Sequence, residues 1–269
     1  MTILMRRLLD TAALLLMGLG TLWGVGLLGN PVERTAGGAL SADATLLAPA
    51  TPAFSIWSVI YLLLVAYVVW LWTPAGGASE RARGLAWLPA ASMVLNGAWL
   101  GITQAGWLWL SVLDIALLAV VLGQVMKRLA GRAASAPVER IALDVTFGLY
   151  LGWVAVATCA NVTAAAVAQG IDLGSTGNQV AAVVVLVVAA ALGVVFARVL
   201  RAPVGVAAAM AWGLGWIAAG RLAEVPASLV VGAVAAAAAA VVFAAFALMW
   251  LRPGRTAVPW RSVPSATAR

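Results

Sequence analysis

The sequence contains no histidine, only one cysteine and few charged residues. Without histidine, His-ligated metal and haem sites and histidine general bases are excluded. Cys159 cannot form an internal disulfide, and its apolar surroundings indicate a small buried hydrophobe rather than a reactive thiol. Charged residues make up 9% of the 269 positions, whereas soluble domains carry about 25%. The chain therefore lacks both the surface of a soluble protein and most of the side chains of acid–base or metal catalysis.

The chain has instead an excess of long apolar runs. Hydrophobic residues make up 64% of it, and its mean hydropathy is +1.05. A helix needs about 20 apolar residues to cross the hydrocarbon core of a bilayer. These runs predict an all-α fold, a polytopic bundle of about eight transmembrane helices. The predicted spans are residues 9–29, 53–73, 85–105, 108–127, 141–168, 178–198, 204–221 and 226–250.

The positions of the basic residues orient these spans. With the N-terminus inside, all 16 basic residues except Arg34 and Arg221 fall in inner segments, as the positive-inside rule requires. Both termini are therefore expected in the cytoplasm, and residues 252–269 are expected to be a disordered basic tail. Membrane topology thus accounts for the net charge of +7, and no nucleic-acid partner is predicted. A single lysine against 15 arginines, with abundant alanine and glycine, indicates a GC-rich bacterial source and hence the plasma (inner) membrane.

Several spans carry aromatic and polar side chains at helical spacing, which places them on one face of each helix. They are Trp57 and Tyr61 in the second span, Asn96 and Trp99 in the third, and Trp153, Ala157 and Asn161 in the fifth. The fourth span carries an acid, Asp114. At 1.5 Å per residue these groups lie roughly 9–14 Å below the outer ends of their helices. We therefore expect an aromatic pocket with a few polar points, beneath the long outer segment 30–52.

Other interpretations of the polar residues remain open. Asn96 and Asn161 would also be explained by a hydrogen bond between them across two helices. Asp114 is a candidate polar or proton site, although the sequence offers it no clear basic partner. Asp10 and Asp144 are expected to be solvated near the cytoplasmic surface.

Three stretches resemble the helices of one membrane-protein family in the same order. The matching residues are Trp57, Ile60 and Tyr61 in the second span, Leu95, Asn96 and Trp99 in the third, and Tyr150, Leu151, Trp153, Ala157, Thr158 and Asn161 in the fifth. The pair Gly106–Trp107, followed by Asp114, is similar to the start of that family's fourth helix. Over roughly residues 10–168 the chain thus resembles the translocator protein family, also called tryptophan-rich sensory protein (TspO/MBR).

The resemblance implies a TspO-like five-helix membrane domain over residues 1–170, with three additional helices in 171–251. It also implies a pocket for porphyrin, haem or another flat hydrophobic ligand, with no required cofactor, and a role in sensing or regulation. The pocket residues implied are Trp57, Tyr61, Asn96, Trp99, Trp153, Ala157 and Asn161. Besides membrane lipids and this ligand, the partner implied is a second copy of the chain, unless the additional helices cover the dimer surface.

Two other function classes compete with this binding role. A small-molecule transporter is the alternative, and it would predict broken helices or matched repeats, which the sequence does not show. An enzyme is not expected, because reactive side chains are scarce. A photochemical or oxidative role acting through tryptophan stays open.

Overall fold

The computed structural model describes residues 1–24, 26, 31–201 and 203–251. These residues form helices, turns and loops and contain no strand. Eight long helices account for most of the described chain. They are α1 (Ile3–Gly24), α2 (Ile56–Trp72), α3 (Leu88–Gln104), α4 (Leu108–Ala130), α5 (Thr146–Ala168), α6 (Gly174–Val199), α7 (Val204–Ala223) and α8 (Leu229–Leu251). Each overlaps one predicted span, although α1 begins six residues earlier than residue 9.

Among the described residues, six helical segments are long and apolar enough to cross a membrane. They are Thr51–Trp72, Leu108–Ala130, Pro137–Ala168, Gly174–Val199, Val204–Ala223 and Leu229–Leu251. The other two predicted spans correspond to α1, which carries charges in its first half, and α3, which has 17 residues. The chain is thus a multi-pass membrane protein. The predicted basic tail, residues 252–269, lies outside the described residues.

The helices pack as a closed group of five with three more on one side. In the group, α1 packs on α3, α3 on α4, α4 on α5, and α2 contacts both α1 and α5. Outside it, α7 packs along α5, α8 along α7, and α6 along α8. The division into a five-helix domain and a three-helix addition stays a prediction.

Glycines bring α5 and α7 into close contact. A methyl group added at Gly152 would lie 2.5 Å from the carbonyl oxygen of Val206 and 2.9 Å from the Cβ of Ala209. One turn earlier, Gly148 faces Gly205 in the same way. Small residues let helix backbones approach closely in membranes, so α7 is fixed against α5 by backbone contact.

At the predicted cytoplasmic end, α1 is held by hydrogen bonds to the last turn of α2 and the segment after it. Arg6 donates to the carbonyl of Gly76 at 3.0 Å, and Arg7 donates to the carbonyl of Leu71 at 2.7 Å. Asp10 is fully buried and accepts a hydrogen bond of 3.0 Å from the hydroxyl of Tyr67. The expectation that Asp10 is solvated is therefore wrong, because its helix begins earlier than predicted and packs this position against α2.

An ion pair joins the short helix before α3 to the segment just before α5. Arg81, in the short helix Glu80–Leu85, binds Asp144 with two hydrogen bonds of 2.8 and 2.7 Å. It also donates to the carbonyl of Leu129 at the end of α4. The Asp144 side chain is 29% exposed, so it is partly solvated and paired.

Candidate ligand-binding pocket

Two adjacent cavities lie inside the five-helix group, beneath the segment that joins α1 to α2. The larger has a volume of about 390 Å³ and is lined by α1, α2 and α3. The smaller, of about 50 Å³, lies toward α4 and α5. Four residues line both cavities: Val32, Phe54, Trp57 and Trp99. Small-molecule sites usually measure about 300–1,000 Å³, so the larger cavity is of that size and the smaller adjoins it.

The stripe predicted on α5 faces the smaller cavity. Trp153, Ala157 and Asn161 all line it, at successive turns of the helix. Tyr61 lines the larger cavity instead, next to Trp57. The predicted aromatic residues are therefore brought together, and they are shared between two cavities rather than facing one.

The aromatic side chains pack mostly edge to face. Trp57 lies at the centre, with its ring centroid 6.0 Å from that of Trp153 and 6.1 Å from that of Tyr150. The planes of these pairs cross at 86° and 76°. Phe54 contacts Trp153 at 5.9 Å and 81°. Such geometry is favourable for ring quadrupoles, so the walls are held by their mutual contacts before any ligand enters.

Asn96 connects helices rather than lining a cavity. It is 1% exposed and accepts a hydrogen bond of 3.1 Å from the hydroxyl of Tyr61. This bond joins α2 to α3 just below the larger cavity. The structure therefore gives Asn96 a packing role beneath the pocket.

Asn161 bonds to α4, not to Asn96. Its amide nitrogen donates to the hydroxyl oxygen of Ser111 at 2.9 Å. Ser111 itself donates to the carbonyl of Leu108 at 2.7 Å, so its oxygen is the acceptor in the bond with Asn161. In the described part of the chain the two asparagines thus have different partners, and the interpretation that they pair with each other is wrong.

Three polar atoms at the cavities have no hydrogen-bond partner among the described residues. They are the indole nitrogens of Trp99 and Trp153 and the amide oxygen of Asn161. Trp153 is 1% exposed and Asn161 2%. Leaving a buried polar group unpaired costs about 1–3 kcal/mol. Two donors and one acceptor on residues that line the cavities are therefore buried without a partner in the described part of the chain.

Asp114 lies apart from the cavities. It is 9% exposed on α4, one turn from Ser111, and lines neither cavity. Its Oδ2 atom is buried and has no hydrogen-bond partner in the described residues. The proposal that it is a polar or proton site stays a prediction.

Some pocket residues were not predicted. Phe54 lines both cavities from a short 3₁₀ helix, Thr51–Ser55, that precedes α2. Phe54 is the second residue of the predicted span 53–73, and its spacing of three from Trp57 was the signal that could have placed it on the same face. Ser111 was missed because one serine at a helix start has many ordinary roles.

The described residues contain no group of three or more Cys, Asp or Glu side chains placed to hold a metal ion. Cys159 lies on α5 but lines neither cavity; its thiol donates to the carbonyl of Ala155 at 3.6 Å. The site therefore offers a guest aromatic faces and hydrogen bonds.

Comparison with known proteins found one relationship. A family model described as TSPO-like protein matches residues 11–248, which include all or part of every long helix. No curated protein and no solved structure matches the chain.

Proposed function

The chain belongs to the TSPO-like protein family, and on that premise we propose that it binds a flat hydrophobic ligand of the porphyrin class in the paired cavities. Members of this family are generally non-enzymatic membrane proteins. The binding would serve a sensory or regulatory role. This chain would likewise act by binding rather than by catalysis.

The observation that carries the proposal is the set of unpaired polar atoms in an aromatic cavity. The indole N–H groups of Trp99 and Trp153 and the amide oxygen of Asn161 are the polar atoms that a ligand could satisfy after a small rotation of these side chains. A porphyrin macrocycle has a large flat π-face that accepts an indole N–H from above. Trp57, Tyr61, Trp99 and Trp153 supply rings against which such a face packs.

The lining also limits the ligand. Among the described residues, no charged side chain lines either cavity. An ionised group buried there without a partner would be strongly disfavoured. A ligand with carboxylates would therefore bind with these at the mouth and its apolar ring inside. Haem would depend on the same ring contacts, because the lining residues include no histidine, cysteine or methionine.

The membrane placement is part of the proposal. All eight long helices cross the bilayer, with α1 and α3 packed against each other, and both termini are cytoplasmic. The pocket then lies in the outer half of the bundle. The membrane is the bacterial plasma membrane, and the chain acts as a single copy or as a homodimer.

Binding is tested by titrating the purified protein in detergent with protoporphyrin IX. Tryptophan fluorescence and the porphyrin absorbance band are both followed. We expect saturable quenching in the wild type and its loss in a Trp99→Ala, Trp153→Ala double variant. The matched control is a Trp109→Ala, Trp250→Ala double variant, because these tryptophans are 45% and 64% exposed and line neither cavity.

Equal affinity in the two double variants would remove the proposed site. Transport is tested separately, by porphyrin flux into proteoliposomes. Flux that requires the protein and is abolished by Asp114→Asn would favour the transporter alternative over sensing.

A further inference from the structure

The segment that covers the cavities is bound to α7, a helix outside the five-helix group. Arg221, near the end of α7, is completely buried. Its guanidinium donates to the carbonyl oxygens of Ala42 and Thr45, each at 3.1 Å, and of Pro226 at 2.9 Å. Two of these three acceptors belong to the covering segment. Arg221 therefore fixes that segment to the start of the turn between α7 and α8.

Two further bonds lie along the same helix. The backbone N–H of Ala50 donates to the carbonyl of Trp216 at 3.2 Å. The indole N–H of Trp212 donates to the carbonyl of Ala53 at 3.0 Å. Residues 42 to 53 are thus attached to α7 at four points spread over about nine residues of the helix.

The attached residues alternate with residues that line the smaller cavity. Leu40, Ser41, Thr45, Pro49 and Phe54 all face that cavity. A movement of the segment away from α7 would therefore move the cover of the site. Because the same short segment bonds to α7 and lines the cavity, its attachment to α7 and the shape of the cavity cannot change independently.

We propose that α7 is the clamp of this cover and that Arg221 is a positioning residue for the ligand-binding site. This inference rests on the function proposed above. The helices after residue 173 then have a defined role: α7 holds residues 42–53 over the pocket and sets the rate at which a ligand enters and leaves, and α8 and α6 pack behind it. Arg221 acts through the carbonyls of Ala42 and Thr45 and touches no ligand.

The chemistry of Arg221 explains why arginine is needed there. Its planar fork reaches three carbonyl oxygens in different directions, which a lysine ammonium cannot reproduce in the same geometry. The described residues include no acidic side chain in an ion pair with it. Asp43 and Glu224 lie close enough to favour its charge electrostatically, but its hydrogen bonds go to backbone carbonyls, and losing them is costly.

A reversible cross-link tests the clamp directly. A Cβ atom added at Gly220 would lie 3.5 Å from the Cβ of Ala50, which is at the short end of the range found in disulfides. The variant Ala50→Cys, Gly220→Cys is made in a Cys159→Ala background. With the disulfide formed, association and dissociation of protoporphyrin IX should both slow by about tenfold or more, since lid opening limits exchange. Reduction should restore both rates.

Weakening the clamp should do the opposite. Trp212→Phe removes the indole hydrogen bond to Ala53 and keeps a ring next to Trp216, which Trp212 contacts at 5.6 Å; Trp212 is 40% exposed, so little other packing is lost. We expect both rates to rise by about 2- to 12-fold, the effect of one hydrogen bond on the opening equilibrium. Arg221→Met should raise both rates further. Arg221→Lys should bring them part of the way back to the wild-type values. Trp250→Phe is the matched control and should change neither rate.

Failure of the clamp and failure of the proposed function give different results. If protoporphyrin IX does not bind the wild type, access is measured with Ala157→Cys, a cavity-lining position, in the Cys159→Ala background. Labelling of this cysteine by a maleimide should be faster with Trp212→Phe than without it. Equal labelling rates, or equal porphyrin exchange rates in the oxidised and reduced cross-linked protein, would overturn the clamp.

Discussion

Trp57 and Trp153 meet at nearly a right angle, with their ring centroids 6.0 Å apart. They come from α2 and α5, which are far apart in sequence. Trp57 lines both cavities, and Trp153 lines the smaller one. The pair therefore forms the wall at the point where the two cavities adjoin. A flat ligand that extends from one cavity to the other would contact both rings.

Trp153→Phe should separate ligand binding from stability. Phenylalanine keeps a ring in contact with Trp57 and Phe54 but removes the indole N–H, which has no partner in the described residues. Removing an unpaired donor relieves its burial cost and offsets most of the lost packing, so the free energy of unfolding should change by no more than roughly 1 kcal/mol. The affinity for protoporphyrin IX should fall by about 2- to 12-fold if the N–H binds the ligand.

The two quantities are measured by thermal unfolding in detergent and by absorbance titration. Trp109→Phe, at a position that lines neither cavity, is the control for replacing a tryptophan. A large loss of stability together with unchanged affinity would show that Trp153 is only a packing residue.

Tyr61→Phe should destabilise the protein through Asn96. The change removes the hydroxyl that donates to the buried amide oxygen of Asn96. An unsatisfied buried acceptor costs about 1–3 kcal/mol, so the unfolding temperature should fall. The double variant Tyr61→Phe, Asn96→Leu removes both partners and should be less destabilised than the sum of the single variants. Additive effects in thermal unfolding would mean that the hydrogen bond contributes nothing.

Helical periodicity predicted which side chains of a helix share one face, and the ligand-binding role of that face stays a prediction. The intervals between Trp153, Ala157 and Asn161 place them on one face, and in the structure that face lines a cavity. Periodicity gives a face but not a partner. It therefore left open what Asn96 and Asn161 bind, and the answers, Tyr61 and Ser111, depend on how separate helices are placed.

The roles of Arg221 and Asp10 were beyond a sequence argument for a related reason. Arg221 was an exception to the charge asymmetry, with no period to relate it to another element. Two of its three acceptors are backbone carbonyls 176 and 179 residues earlier in the chain, and carbonyls leave no trace in the sequence. Asp10 was placed wrongly because hydropathy located the start of α1 after Arg6 and Arg7, whereas the helix itself begins at Ile3.

Gly152→Ala should loosen the contact between α5 and α7. The added methyl group would lie 2.5 Å from the carbonyl oxygen of Val206, a distance that real Cβ atoms do not show, so one helix must shift. Overpacking of this kind typically costs about 1–3 kcal/mol.

Gly123→Ala in α4 is the matched control, because nothing lies within 4 Å of its added Cβ. It should be neutral or stabilising by about 0.5–1 kcal/mol, since alanine is the better helix former. Equal unfolding temperatures for the two variants would show that the two helices are not held by close backbone contact.

The proposed topology predicts which loops a reagent reaches from outside the cell. If α1 starts in the cytoplasm and all eight helices cross, the turn between α5 and α6 is external and the turn between α4 and α5 is internal. Ser175 and Ala133 are exposed positions at these two turns. In a Cys159→Ala background, Ser175→Cys should react with a membrane-impermeant maleimide in intact cells, and Ala133→Cys should react only after the membrane is opened.

The α1 and α3 helices decide this outcome, because they are the two that length and apolarity alone do not qualify as spans. If only one of them crossed, the two positions would exchange sides and the labelling pattern would be reversed. If neither crossed, both turns would stay on their predicted sides, but the loop between α1 and α2 would lie inside the cell instead of outside. Arg34→Cys is exposed in that loop, and its labelling from outside distinguishes eight crossings from six.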